Sequence, residues 1–101
     1  MIVSYKNKRD KEFYANKKAL SSSFGVKIAQ KIGQRISELV AADNPQQLPQ
    51  NARFHEHKGK RKGLFSIDLV HPFRLIVLPT CDYTSWVEIV SVQIYEVINP
   101  H

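Results

Sequence analysis

Apolar side chains along this chain follow two different periods, and the change between them divides a helical first half from an extended second half. Ile2, Val3 and Tyr5 make a short strand candidate. Lys6 to Lys18 reads as a short basic helix anchored by Phe13, Tyr14 and Leu20. Ser21, Ser22 and Ser23 carry hydroxyls able to accept from the free N–H groups of a following helix, which marks an N-cap region. From Phe24 the apolar positions fall at Ile28, Ile32, Ile36, Leu39 and Val40, a stripe along one helix face. Lys27, Lys31 and Arg35 mark the other face at four-residue steps. Asp43, Asn44 and Pro45 close this helix, because the proline ring cannot continue it.

Gln46 to Gly63 is a polar connection containing Pro49, Gly59 and Gly63, and a loop of this length in a small domain points to function. Beyond it the period drops to two. Leu64 to Val70 alternates, with Phe65, Ile67 and Leu69 on one face and Ser66 and Asp68 on the other. His71 and Pro72 make a tight connection to a second, strongly apolar strand, Phe73 to Leu78. Pro79 to Ser85 is a turn region, and Trp86 to Ile98 a long third strand. Its apolar parity changes between Val87 and Ile89 on one side and Val90, Val92 and Ile94 on the other, which predicts a bulge near Ile89. The whole predicts an α+β fold: a short N-terminal strand and two helices packed on an antiparallel sheet of three to four strands. With 101 residues and no internal repeat, residues 1–101 read as a single domain.

Charge changes this picture by suggesting a partner. Fifteen Lys and Arg face nine Asp and Glu, a formal +6. Such an excess favours a polyanion: nucleic acid first, an acidic protein second, an anionic membrane third. Charge alone serves solubility equally well, so position decides. The lone Cys81 excludes an intramolecular disulfide framework and suits a reducing cytosol. No apolar run suits a signal peptide or a membrane span, so the expectation is a cytoplasmic protein with no membrane role.

Position points to the long loop. Arg53, Lys58, Lys60, Arg61 and Lys62 surround His55, His57 and the ring of Phe54. Cations neutralise phosphates, glycines let backbone approach closely, and an aromatic ring stacks on a base. A solvated loop is the plain alternative; two imidazoles set among the cations favour a nucleic-acid site. His55 and His57, two apart in an extended segment, share a side and invite a metal reading. No third ligand stands at recognised spacing and the neighbouring cations oppose a dication, so neither metal nor other cofactor is expected. Arg74 is the charged residue of an apolar strand: either it lies on the exposed face of a sheet, or it holds a phosphate in a concave one. His71, before a proline, reads as structural. Asn99, Pro100 and His101 end the chain with another imidazole.

These residues resemble HigB-like toxins of the RelE/ParE superfamily, which belong to type II toxin–antitoxin pairs. The likeness rests on His55, Lys58-Gly59, Arg61-Lys62-Gly63, Phe65-Ser66-Ile67 and Phe73-Arg74-Leu75, and on the terminal run Val92 to His101. The helical part, Phe24 to Ala42, fits in pattern only. The resemblance implies a RelE-like fold and metal-independent cleavage of mRNA on the ribosome, with neutralisation by a HigA-like helix-turn-helix antitoxin. By the same resemblance His55 and His101 match the family histidines, Lys58 and Arg74 its cations, and Arg61 and Lys62 its basic loop; Arg53 and Lys60 extend the phosphate-binding set. Which histidine is base and which is acid stays open. Where the family carries Asp and Tyr, this chain has Asn99 and Pro100. Asn cannot transfer a proton and Pro offers no ring. A slow nuclease, one relying on the two histidines alone, and an inactive relative that still binds its antitoxin are therefore all alternatives. A ParE-like gyrase inhibitor on the same fold would not need the histidine pair.

Overall fold

The structure, a computed structural model, describes residues 1–99. Its first departure from the expected pattern is at Asn16, which cuts the basic helix in two. Asn16 takes an extended backbone (φ −101°, ψ 99°), donates its N–H to the Phe13 carbonyl, and accepts from the Ala19 amide at 3.0 Å. A short amide side chain competes well for backbone groups and so favours such a cap. The segments are α1 (Lys8–Ala15) and α2 (Lys17–Phe24), preceded by β1 (Ile2–Tyr5). Ser21, Ser22 and Ser23 therefore lie inside α2 rather than capping the next helix. The break into α3 (Val26–Ala41) is made by Gly25 at φ +88°, a conformation that a side chain would strain.

Helix α3 buries Ala29, Ile32, Arg35 and Leu39. Val40, expected in the stripe, is 59% exposed, while Arg35, expected on the basic face, is 3% exposed. The guanidinium tolerates burial because its donors are used: Nε bonds the Asp68 carbonyl at 2.8 Å, and the terminal nitrogens reach Glu38 at 2.8 Å and the Asn51 carbonyl at 3.3 Å. Arg35 thus ties α3 to the end of a strand and to the connection behind it. As expected, the helix stops ahead of Pro45, which opens a single 3-10 turn capped by Asn44.

The remaining strands are β2 (His55–Glu56), β3 (Phe65–Asp68), β4 (Arg74–Pro79) and β5 (Ser91–Ile98). The sheet runs β1-β5-β4-β3-β2, with β2 to β5 antiparallel neighbours and β1 parallel to β5. The fold is α+β, with three helices and a five-stranded mixed sheet in place of two helices and an all-antiparallel one. Strand β2 lies within the stretch read as loop; two residues are too few to show a period. Strand β5 starts at Ser91, since Trp86–Glu88 form a 3-10 turn closed by a Ser85/Glu88 capping box. The bulge falls elsewhere too. Ile76 opposes Glu96 and Val77 opposes Ile94, so Tyr95 is the extra residue, not a neighbour of Ile89.

One sheet face, carrying Ile67, Leu75, Val77, Val92 and Ile94, packs with Leu20, Ala29, Ile32 and Leu39 of the helices. Residues paired across strands share a face, so the second face carries the row His55, Ser66, Ile76, Glu96 and the row Asp68, Arg74, Ile98. Leu64, Ser66 and Ile76 stand outside the helix-side cluster yet are 4%, 0% and 1% exposed. Something else covers them.

Candidate functional site on the second sheet face

The cover is the basic loop. His57 donates its amide to the Leu64 carbonyl at 2.8 Å, closing a hairpin from β2 to β3 around residues 58–63. Gly63 returns the chain at φ +87°. Gly59 packs against His57, where a Cβ would stand 2.9 Å from the imidazole Nε2. From there Arg61 reaches Tyr95 on β5, donating to its hydroxyl at 3.3 Å with the guanidinium 5.2 Å from the ring centroid. The Lys6 ammonium stands 3.9 Å from the same centroid. A loop that leaves β3 and meets β5 has crossed β3 and β4, which accounts for the burial of Leu64, Ser66 and Ile76. The Ser66 hydroxyl is sealed there without a hydrogen-bond partner among the described residues.

His55 is half-buried at the sheet edge, and its Nδ1 lies within hydrogen-bonding distance of the Arg53 carbonyl. A carbonyl only accepts, so this contact suits the tautomer with its hydrogen on Nδ1 and leaves the Nε2 lone pair open. Arg53 takes a left-handed backbone (φ 48°), and its guanidinium, 62% exposed, pairs with the Asp68 carboxylate at 3.3 Å. Asp68 opposes Arg74 across the β3–β4 ladder. Arg74 is half-buried and makes no ion pair among the described residues. His55 and Arg74 are two strands and two residues apart, about 12 Å between Cα atoms at ordinary sheet spacing.

Lys58, Lys60, Arg61 and Lys62 are all exposed on the loop. The register brings His55 and Arg74 to one face, Arg61 reaches the sheet at Tyr95, and Asp68 and Glu96 make that face mixed rather than purely basic. Pro100 and His101 lie outside the described residues. Asn99 follows Ile98, whose cross-strand partner is Arg74, so the chain leaves the sheet beside that guanidinium. Among the described residues no three His, Cys, Asp or Glu side chains form a metal-binding group. No helix is long and apolar enough to cross a membrane.

Three features escaped the sequence reading. Tyr95 carries a legible signal: apolar residues at Val92 and Ile94, then Val97 and Ile98, break parity at the residue the loop grips. Lys6 gave none, since its contact depends on the parallel pairing of β1 with β5. The third is an aromatic ladder. Phe54, expected to be free for a base, stacks on Phe65 with centroids 4.8 Å apart and planes 11° apart. Trp86 stands 6.1 Å from Phe54, and Tyr83 stands 6.1 Å from Phe65. No protein-family model, no curated protein and no solved structure matches this chain.

Proposed function

We propose that this chain is a RelE-fold toxin of the HigB-like type that cleaves mRNA on the ribosome without a metal. The observation that carries the reading is the register of β2, β3 and β4, which sets His55 and Arg74 on one sheet face, with a loop bearing Lys58, Lys60, Arg61 and Lys62 joining β2 to β3. In the reaction the ribose 2′-oxygen loses its proton and bonds the adjacent phosphorus, and the bond from phosphorus to the 5′-oxygen breaks. His55 Nε2 suits the proton transfer, Arg74 and Lys58 the phosphorane charge, and His101 the protonation of the leaving 5′-oxygen. The products are a 2′,3′-cyclic phosphate, opening to a 3′-phosphate, and a 5′-hydroxyl. The partners follow from the same resemblance: ribosome and mRNA as target, and a helix-turn-helix antitoxin as inhibitor in the cytoplasm.

Asn99 and Pro100 favour a second reading, a non-catalytic relative that binds its antitoxin through this face. One experiment separates the two: induced expression followed by mapping of mRNA ends on translating ribosomes, with and without chelator. The proposal expects new ends with cyclic phosphates that persist in EDTA. Ends with a 3′-hydroxyl that vanish in EDTA would return His55 and His57 to metal binding, and an unchanged transcriptome would leave the binding module.

A further inference from the structure

The β4–β5 connection and strand β2 enclose a cleft of about 600 Å³ that shares only His55 with the groups proposed for cleavage. Its walls are Phe54, Phe65, Tyr83 and Trp86, with His55 and Glu56 at the rim. The volume suits a small ring system. Phe54 and Phe65, stacked on each other, form a fixed apolar wall, while Trp86 at 43% and Tyr83 at 36% stay exposed. Exposed aromatic rings of this size are costly to leave in water and suit contact with another π-face. No Lys or Arg lines the cleft and Glu56 carries the opposite charge, so a phosphate is disfavoured inside. Glu56 and Phe65 pair on the helix-side face of the sheet, and the cations stand around its edge on the hairpin loop that follows Glu56, at residues 58, 60, 61 and 62. Such a division, cations on one side and aromatic rings on the other, matches a single strand whose backbone and bases are held separately.

We propose that this cleft is a nucleobase subsite that holds one unpaired base of a single-stranded nucleic acid beside His55. Trp86 and Tyr83 stack the base. The Glu56 carboxylate, which only accepts, bonds the exocyclic amino group that adenine, cytosine and guanine carry and uracil, whose edge donor is its ring N3–H, lacks. A base inside a duplex is already stacked and cannot enter. The inference rests on the RNA-cleaving reading for its place in the reaction, and it deepens that reading by naming residues that choose where the strand is cut.

Trp86 is the single tryptophan of the chain, so its fluorescence reports the cleft directly. The titrant is a non-cleavable 2′-O-methyl oligoribonucleotide, with its duplex as control, and binding is followed in parallel by anisotropy. Quenching should saturate with the anisotropy change for the single strand and be absent for the duplex. Trp86→Ala should weaken binding about tenfold, the scale of one base–aromatic stack, whereas Trp86→Phe should retain most of it. Oligo(U) should bind less well than oligo(A), and Glu56→Gln should remove the difference. Far-UV circular dichroism of each variant separates loss of binding from loss of fold. On translating ribosomes, Trp86→Ala should cut more slowly and with a flatter base preference, leaving the end chemistry unchanged. If the parent cuts mRNA while Trp86 is unquenched and Trp86→Ala cuts with the same rate and preference, the subsite is refuted and the cleavage reading stands. Quenching by RNA without any cleavage leaves the subsite and removes the nuclease; neither quenching nor cleavage removes both.

Discussion

Arg61 and Tyr95 lie 34 residues apart in sequence, yet the guanidinium of one donates to the hydroxyl of the other at 3.3 Å. That contact, with the Lys6 ammonium over the same ring, pins the basic loop across the second face of the sheet. An exposed pair of this kind contributes under about 1 kcal/mol to global stability. Its effect is local. Tyr95→Ala should leave the unfolding midpoint nearly unchanged but raise the rate of tryptic cleavage within residues 58–62 several-fold, with Tyr95→Phe in between. Equal cleavage rates in all three proteins would show that the loop is held by other contacts.

Arg35 is the charged side chain on which three elements converge. Its removal strands the carbonyls of Asp68 and Asn51 and deprives Glu38 of its cation. Arg35→Met should cost about 3 kcal/mol in urea unfolding, and Arg35→Lys should recover little, because an ammonium cannot reproduce the fork. Lys27→Ala, on the exposed side of the same helix, should change stability by less than about 0.5 kcal/mol.

The Ser66 hydroxyl is buried without a partner among the described residues, so it carries a desolvation penalty with no return. Ser66→Ala should therefore raise stability by about 1 kcal/mol, read as a higher denaturant midpoint at constant slope. A lower midpoint would mean that the hydroxyl is bonded in solution.

Burial, followed by the charges of Asp10 and Glu96 and the neighbouring Tyr5, pushes the Tyr14 hydroxyl up to about 12. The unfolded value is about 10, so the folded state holds this proton more tightly. The resulting contribution is complete below pH 10 and is lost as pH rises toward 12. Tyrosinate absorbance should show a late-titrating group whose ionisation coincides with loss of helical signal, and Tyr14→Phe should stay folded to higher pH. Coincident titration of all tyrosines near pH 10 in a folded protein would contradict this.

The parts of the fold governed by a run of similar positions were legible in the sequence. The Ile28–Ile32–Ile36–Leu39 stripe, the stop before Pro45, and the antiparallel strands around Leu75 and Val92 all followed from period and turn chemistry. What escaped turned on single residues or distant pairings. Asn16 split a helix that periodicity would continue, and Arg35 entered the core because carbonyls 16 and 33 residues away receive it. The parallel pairing of Val3 with Val92 has no local signature at all. At the site, sequence gathered His55, Arg74 and the loop cations by chemistry, and only the register put the first two on one face. Tyr83 went unremarked because a turn region gives no period from which to read an outward-facing aromatic, and Trp86 was expected to open the third strand rather than a 3-10 turn.

Cleavage as proposed requires His55 and Arg74 to act on one phosphate. Single-turnover cleavage of mRNA on programmed ribosomes, with the new 3′ ends analysed for cyclic phosphate, tests this directly for the parent, His55→Ala and Arg74→Ala. Each substitution should slow cleavage by about 10²- to 10⁴-fold, the usual worth of one proton-transfer or charge-stabilising group. Neither should alter the fold by circular dichroism, and the double variant should lose far less than the product of the two single losses. Cleavage by His55→Ala at the parental rate, with the same cyclic ends, would contradict the account.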